Sequence, residues 1–105
     1  MIRGDVHEIS LPRRRGHVQH GGRYAVIVQA DDLVALSTVV VCPTSRSASG
    51  TSFRPSIAVE GEETRVLCEM VRAVDIGSLG DRVGHLSVDE MASVEDALEL
   101  VLCLG

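Results

Sequence analysis

Four consecutive apolar residues, Ala25-Val26-Ile27-Val28, stand between a glycine-rich stretch and an acidic turn. A run this short, with no polar alternation, suits a strand covered on both faces. We expect the second strand of the chain here, from Tyr24 to Gln29. Ala30-Asp31-Asp32 then reads as a turn. Leu33 to Cys42 reads as the third strand, because its β-branched residues fit a pleated surface. Pro43 is expected to stop it, since proline brings no N–H to a ladder. If these two strands lie side by side, Arg23 at the start of one and Thr44 at the end of the other share a rim of a small β-core.

The rest of the pattern is also mostly strand. Arg3 to Ile9 is a short first strand with Val6 and Ile9 apolar, closed by Ser10-Leu11-Pro12. Residues 13–22 carry three arginines, two histidines and three glycines without periodicity, and read as a basic loop. Gly16, Gly21 and Gly22 are its candidate hinges. Residues 45–52 form a second, polar loop. Arg54 to Glu60 is a strand with Ile57 and Val59 at period two, followed by a turn from Gly61 to Thr64. Arg65 to Met70 and Val71 to Asp75 make a nearly continuous extended segment with a bend. Ile76 to Leu79 is a single helical turn, and Arg82 to Leu86 a last strand. Ser87-Val88-Asp89-Glu90 fits a capping box and opens the one predicted helix. Met91, Val94, Leu98, Val101 and Leu102 recur at helical spacing, so this stripe is expected to be buried. Six or seven short strands and one C-terminal helix describe a mainly β (α+β) fold, a small, strongly bent sheet or barrel.

Composition narrows the partners. The 105 residues suit one domain, 1–105. Apolar residues are 45% of the chain and aromatics only 2%, so aliphatic side chains must fill the core. A mean hydropathy of +0.19 is high for so small a domain and points to apolar surface covered by a second subunit. No run approaches the roughly 18–20 apolar residues of a membrane span, and the N-terminus has no apolar signal core, so a cytoplasmic location and no membrane are expected. Cys42, Cys68 and Cys103 sit among aliphatic residues without C-x-x-C spacing and are expected as buried free thiols. The net charge of -5 is unevenly spread: residues 1–24 carry +3, residues 25–59 balance, and residues 60–105 carry -8. All ten basic residues are arginine, which suits bidentate phosphate contact. A GC-rich coding sequence produces the same bias, so arginine usage alone names no partner.

One chemistry fits these residues. RNA carries its own nucleophile, the 2′-hydroxyl beside each phosphate. A protein that cuts it must take that proton, stabilise charge on phosphorus and protonate the leaving oxygen. Arginine is planar, always charged and rich in donors, which suits the second task. A threonine hydroxyl can hold a non-bridging oxygen. Arg23 and Thr44 fit these roles without a metal, although an arginine at a strand start is more often a plain surface charge. The basic loop is either a solvated segment or a flap that closes over a polyanion. His17-Val18-Gln19-His20 has metal-like spacing, but no carboxylate or cysteine cluster accompanies it, so no metal site is expected. Proton transfer by His17 or His20 near a phosphate is the other reading. His7 reads as strand packing, His85 as structural, and Cys68 as a core residue of a strand. No Gly-x-Ser-x-Gly, Walker loop or dinucleotide motif occurs, so no cofactor is expected.

In order along nearly the whole chain, five segments resemble the MazF/PemK toxins of bacterial toxin–antitoxin systems. Arg3-Gly4-Asp5-Val6 is similar to that family's opening Arg-Gly-(Asp/Glu)-(Ile/Val). Gly22-Arg23-Tyr24-Ala25-Val26-Ile27-Val28 resembles its Gly-x-Arg-Pro-x-(Val/Ile)-(Val/Ile) strand. Val41-Cys42-Pro43-Thr44-Ser45 resembles its Val-x-Pro-(Ile/Val)-Thr-Ser segment. Leu67-Cys68-Glu69-Met70-Val71-Arg72-Ala73-Val74-Asp75 is similar to its Leu-x-Glu-Gln-(Ile/Val)-Arg-x-(Ile/Val)-Asp, and Gly84-His85-Leu86-Ser87 to its lead into the helix.

The resemblance implies an SH3-like, CcdB-like barrel, a homodimer, and metal-independent, sequence-specific cleavage of single-stranded RNA. It places Arg23 and Thr44 on the family's catalytic arginine and threonine, and residues 13–22 on the segment that gates the RNA groove. Arg13, Arg14, Arg15, His17, His20, Tyr24, Ser45, Arg46 and Arg72 are then the candidate RNA contacts. A cognate antitoxin is implied as the partner that blocks the groove. Three departures stand out: Tyr24 replaces the usual proline, adding a ring on which a base could stack, Met70 a glutamine, and His7 a common aromatic. Two rival functions remain at this point. A CcdB-type toxin on the same barrel inhibits a protein target such as gyrase and cuts nothing. A blander alternative only binds RNA.

Overall fold

In the computed structural model, which describes residues 1–10, 23–33 and 37–105, seven antiparallel strands curl into one sheet and a helix follows them. The strands are β1 (Asp5–Ile9), β2 (Tyr24–Ile27), β3 (Thr38–Ser45), β4 (Ser56–Val59), β5 (Glu62–Val66), β6 (Arg72–Asp75) and β7 (Leu79–His85). The helix is α1 (Val88–Leu102). Hydrogen bonding orders the strands β4-β5-β3-β2-β1-β7, with β6 also on β3. The long β3 is therefore the hub. β2 lies along one edge, while the other edge is shared between β6 and, at Thr44 and Ser45, β5.

The unbroken apolar run of β2 reflects cover on both faces, as expected. Val26 joins Val6, Cys42, Val66, Cys68, Leu86 and Val94 in the main core, against α1. Ala25 and Ile27 point the other way, into a smaller cluster with Ile9, Val39, Val41 and Val74. The helix starts where the capping box places it. Ser87 Oγ accepts from the Glu90 N–H at 3.1 Å, and Glu90 Oε1 accepts from the Ser87 N–H at 2.9 Å. The other Glu90 oxygen accepts from the Ala58 N–H at 2.9 Å, which ties the helix start to β4. Two residues on α1, Val94 and Ala97, are buried; Met91, Leu98 and Val101 are half-buried.

Several expectations need correction. The third strand begins at Thr38, since Leu33 lies in a 3-10 turn (Asp31–Leu33), and the last strand is Leu79–His85 rather than residues 82–86. Pro43 does not stop the third strand, which runs on to Ser45. Val28 N–H donates to the Val40 carbonyl, so that pair is hydrogen-bonded, and the antiparallel alternation makes Ala25 and Pro43 a non-hydrogen-bonded pair. Proline nitrogen thus points to the opposite edge, in the gap where β6 has ended and β5 has not begun, and no ladder bond is lost. The turn between β4 and β5 is the tight pair Glu60-Gly61, not residues 61–64. Both have positive φ, 51° and 81°, the backbone that two-residue hairpins require. Cys68 sits in a 3-10 turn rather than a strand; that turn is the bend between β5 and β6. Leu102 is exposed, because the chain leaves the helix at Cys103 in a left-handed conformation. Cys103 is exposed with it, whereas Cys42 and Cys68 are the buried free thiols expected.

Candidate functional site

The register of β2 on β3, Ala25 opposite Pro43 and Ile27 opposite Val41, carries the start of one strand to the end of the other. One further step sets Tyr24 beside Thr44, and the Thr44 hydroxyl donates to the Tyr24 carbonyl at 3.3 Å. Arg23 and Thr44 thus share a rim, on adjacent strands, in unlike settings. Arg23 is half-buried and lines a groove of about 490 Å³ formed by residues 8–10, Tyr24 and residues 77–80. Thr44 is 5% exposed and is not part of that lining. Strand alternation explains the difference: Thr44 shares the parity of Cys42, which faces the main core, and Arg23 shares that of Ala25, which faces the smaller cluster.

Burial lowers the Arg23 guanidinium from its usual pKa, and Arg23 Nε is buried with no hydrogen-bond partner among the described residues. A guanidinium keeps its charge at any physiological pH. The rim therefore holds a cation partly stripped of water with a donor unspent, and an anion in the groove would supply both charge and acceptor.

The other expected contacts are placed unequally. Tyr24 lines the groove, but its ring packs against the main core and its hydroxyl donates to Glu60 at 3.3 Å. Burial, then Glu60, raises its pKa. Ser45 is half-buried at the end of β3, with its hydroxyl 3.3 Å from that of Ser47. Arg46 is exposed and ion-paired to Glu62, so a phosphate must compete for it. Arg72 is exposed on β6 opposite Val41, the Arg23 side of the sheet. Arg13, Arg14, Arg15, His17 and His20 lie outside the described residues, as do the loop hinges. Among the described residues no group of three or more His, Cys, Asp or Glu side chains converges as a metal site would.

Sequence reasoning missed the rest of the lining. Glu8 and Ser10 at the end of β1, Gly77 and Ser78, and Leu79 and Gly80 at the start of β7 line the same groove as Arg23. Glu8 is opposite Tyr24 in the β1–β2 register and shares the parity of Val6, a core residue. A carboxylate where alternation asks for an apolar side chain was the available signal.

Comparison with known proteins agrees with this architecture. Residues 2–102 match the profile of the PemK-like, MazF-like toxins of type II toxin–antitoxin systems. A candidate toxin of Mycobacterium tuberculosis is 41% identical over 106 residues, covering 99% of each chain. A mycobacterial endoribonuclease solved with its cognate antitoxin superposes with a TM-score of 0.83 at 19% identity, over 100% of this chain and 97% of that one. MazF of Deinococcus radiodurans gives 0.81 at 21% identity, over 99% and 97%. At these identities the two structures establish the fold: mainly β, with a curled antiparallel sheet and one C-terminal helix. With its profile match over almost every residue and a relative of this identity, the chain belongs to the PemK-like, MazF-like toxin family of type II toxin–antitoxin systems.

Proposed function

We propose that this toxin is an endoribonuclease that cuts single-stranded RNA by attack of the 2′-hydroxyl on the adjacent phosphate, leaving a 2′,3′-cyclic phosphate and a 5′-hydroxyl. The observation that carries the reading is Arg23, a partly desolvated cation with an unspent Nε in a groove at the sheet rim. Charge accumulates on the non-bridging oxygens as the phosphorane forms. A half-buried guanidinium stabilises that charge with less water to reorganise than a fully exposed one. RNA supplies the nucleophile, so the reaction as proposed needs no metal.

Thr44 acts from one layer down. Its hydroxyl fixes the Tyr24 carbonyl, and with it the backbone from which Arg23 projects. The phosphate contact that the family resemblance implies requires Thr44 to leave that bond when RNA is seated. Ser45, Arg46 and Arg72 extend the cationic and polar surface along β3 and β6, and Tyr24 contributes ring surface at the groove. Arg13, Arg14, Arg15, His17 and His20 would close over the strand from the basic loop. The working unit is a homodimer of single-domain chains, and a cognate antitoxin restrains it by occupying the groove. Family membership favours this reading over the CcdB-type alternative, in which Arg23 has no task.

The test is to incubate the purified protein with a long single-stranded RNA and map the cut ends. Cuts at a recurring short sequence, ending in 2′,3′-cyclic phosphate and resistant to chelator, are expected. RNA retained without shortening would overturn the reading.

A further inference from the structure

Resting on that cleavage reading, we infer that Glu8 is the general base that takes the 2′-hydroxyl proton. The groove that receives the phosphate must also receive this carboxylate, because Glu8 and Arg23 line the same cavity from adjacent strands. Ile9 N–H donates to the Arg23 carbonyl at 3.0 Å, which fixes the two strands together next to Glu8.

Two features make room for the carboxylate there. β7 bulges opposite it. The β1–β7 register steps from Ile9 opposite Leu79 to His7 opposite Arg82, so an extra residue of β7 faces Glu8. Bulges re-aim side chains and open a ladder locally. Gly80, within that bulge, has no side chain to fill the space: a Cβ added there would lie 3.2 Å from Glu8 Cβ and 3.6 Å from Glu8 Oε2. Glu8 thus lies across a glycine that leaves room for it.

A carboxylate in a groove for a polyanion is repelled by phosphate unless it meets a donor. The ribose 2′-hydroxyl next to the scissile phosphate is a donor whose loss of a proton the reaction requires. Glu8 takes that proton as the O2′–P bond forms, the P–O5′ bond breaks, and the 5′-oxygen takes a proton from water. Glu8 then returns its own proton to solvent, and no net proton is consumed. The charged and titratable groups on the flanking strands are Tyr24 of β2, with Arg23 just before it, and Asp81, Arg82 and His85 of β7; Arg82 and His85 are held 3.1 and 2.8 Å from Asp5.

The experiment is single-turnover cleavage of single-stranded RNA across pH by the intact wild-type protein, Glu8→Gln and Glu8→Ala, with melting curves and RNA affinity measured alongside. General base catalysis is worth on the order of 10²–10⁴-fold. Glu8→Gln should therefore cut at least about 10²-fold more slowly, bind RNA no worse, lose the acidic limb of the pH–rate profile, and cut at unchanged positions. A substrate whose 5′-leaving atom is sulfur, which needs no proton to depart, should leave the deficit in place. A rate within a few-fold of wild type with the acidic limb retained overturns the inference. So does an undiminished rate with altered cut positions, which would make Glu8 a reader of bases. Failure of the wild type itself to cut would instead count against the cleavage reading.

Discussion

At its start β1 presents Asp5, 3% exposed, with every acceptor in use. The Ile2 N–H donates to Oδ2 at 2.9 Å, while His85 Nδ1 and Arg82 Nε reach Oδ1 at 2.8 and 3.1 Å. Three residues later the same strand presents Glu8, and it ends beside Arg23, whose Nε is buried without a partner among the described residues. One end is a closed ion network that joins the N-terminus to the strand leading into α1. The other holds a cation and a carboxylate around an open groove. Folded proteins satisfy buried polar groups almost everywhere, so an orphaned donor in a cleft is a deficit that a ligand can relieve. The closed end should govern stability and the open end activity.

The largest effect is expected at the open end. Arg23→Ala should slow RNA cleavage by about 10²–10³-fold, or roughly 3–4 kcal/mol of transition-state stabilisation. Its melting temperature should not fall, because the substitution removes a buried donor that no described residue satisfies. Cleavage close to wild type in single-turnover assays would undo the contrast.

Asp5→Ala is the converse. It strips the acceptor from the Ile2 N–H and from the Arg82 and His85 side chains, and should lower stability by about 2–3 kcal/mol, discounted because Arg82 and His85 are themselves well exposed. The cleavage rate per folded molecule should hold. The same network sets the response to acid. Burial alone would raise the Asp5 pKa, but the Ile2 N–H, His85 and Arg82 outweigh it and hold the carboxyl below its usual 3.8. Burial likewise opposes Arg54 at Glu69 and the Ser87 and Ala58 N–H groups at Glu90, and both carboxyls end below the usual 4.5. A depressed carboxyl stabilises the fold above its unfolded pKa and loses that contribution as pH falls through the folded one. Thermal stability should therefore be flat with respect to these groups above about pH 5 and fall steadily below about pH 4. Asp5→Ala should show a shallower decline.

How far the two ends could be read from sequence differs for a physical reason. Local signals survived: the Ser87–Glu90 capping box needs only residues three apart, and the Ile57–Val59 alternation needs only one strand. The shared rim of Arg23 and Thr44 was also legible, because two strongly β-branched runs on either side of one turn have few ways to pair. Pro43 was misread because its consequence depends on which edge of β3 its nitrogen faces, and that follows from where β6 ends and β5 begins. Glu8 was missed because its meaning comes from a bulge in β7, some seventy residues away. Thr44 illustrates a third limit. Sequence placed it at the rim, but only strand parity shows its hydroxyl turned toward the Tyr24 carbonyl.

Thr44→Val probes that intermediate position. It keeps shape and β-branching but removes the bond to Tyr24, so a stability loss of about 1 kcal/mol is expected. Cleavage should slow as well, because the backbone beside Arg23 is no longer held; a drop in stability with full activity would assign Thr44 to the closed, structural side of the comparison. Circular dichroism melts and single-turnover rates on the same preparation separate these outcomes.

The smallest effect is expected where the open end carries a pair of its own. Arg46 and Glu62 are ion-paired with both side chains more than half exposed, at 53% and 61%. Such exposed pairs contribute little, so Glu62→Ala should change stability by less than about 0.5 kcal/mol. The same substitution releases Arg46 from competition beside the groove. RNA affinity should then rise a few-fold at low salt, and the gain should shrink as salt screens the freed charge. A titration of a short, uncleavable single-stranded RNA at two ionic strengths reads this directly. An unchanged affinity would place Arg46 outside the RNA path and narrow the open end to the groove between β1, β2 and β7. A rise would extend that end along β3 to the turn between β4 and β5, where Glu60 already holds the Tyr24 hydroxyl.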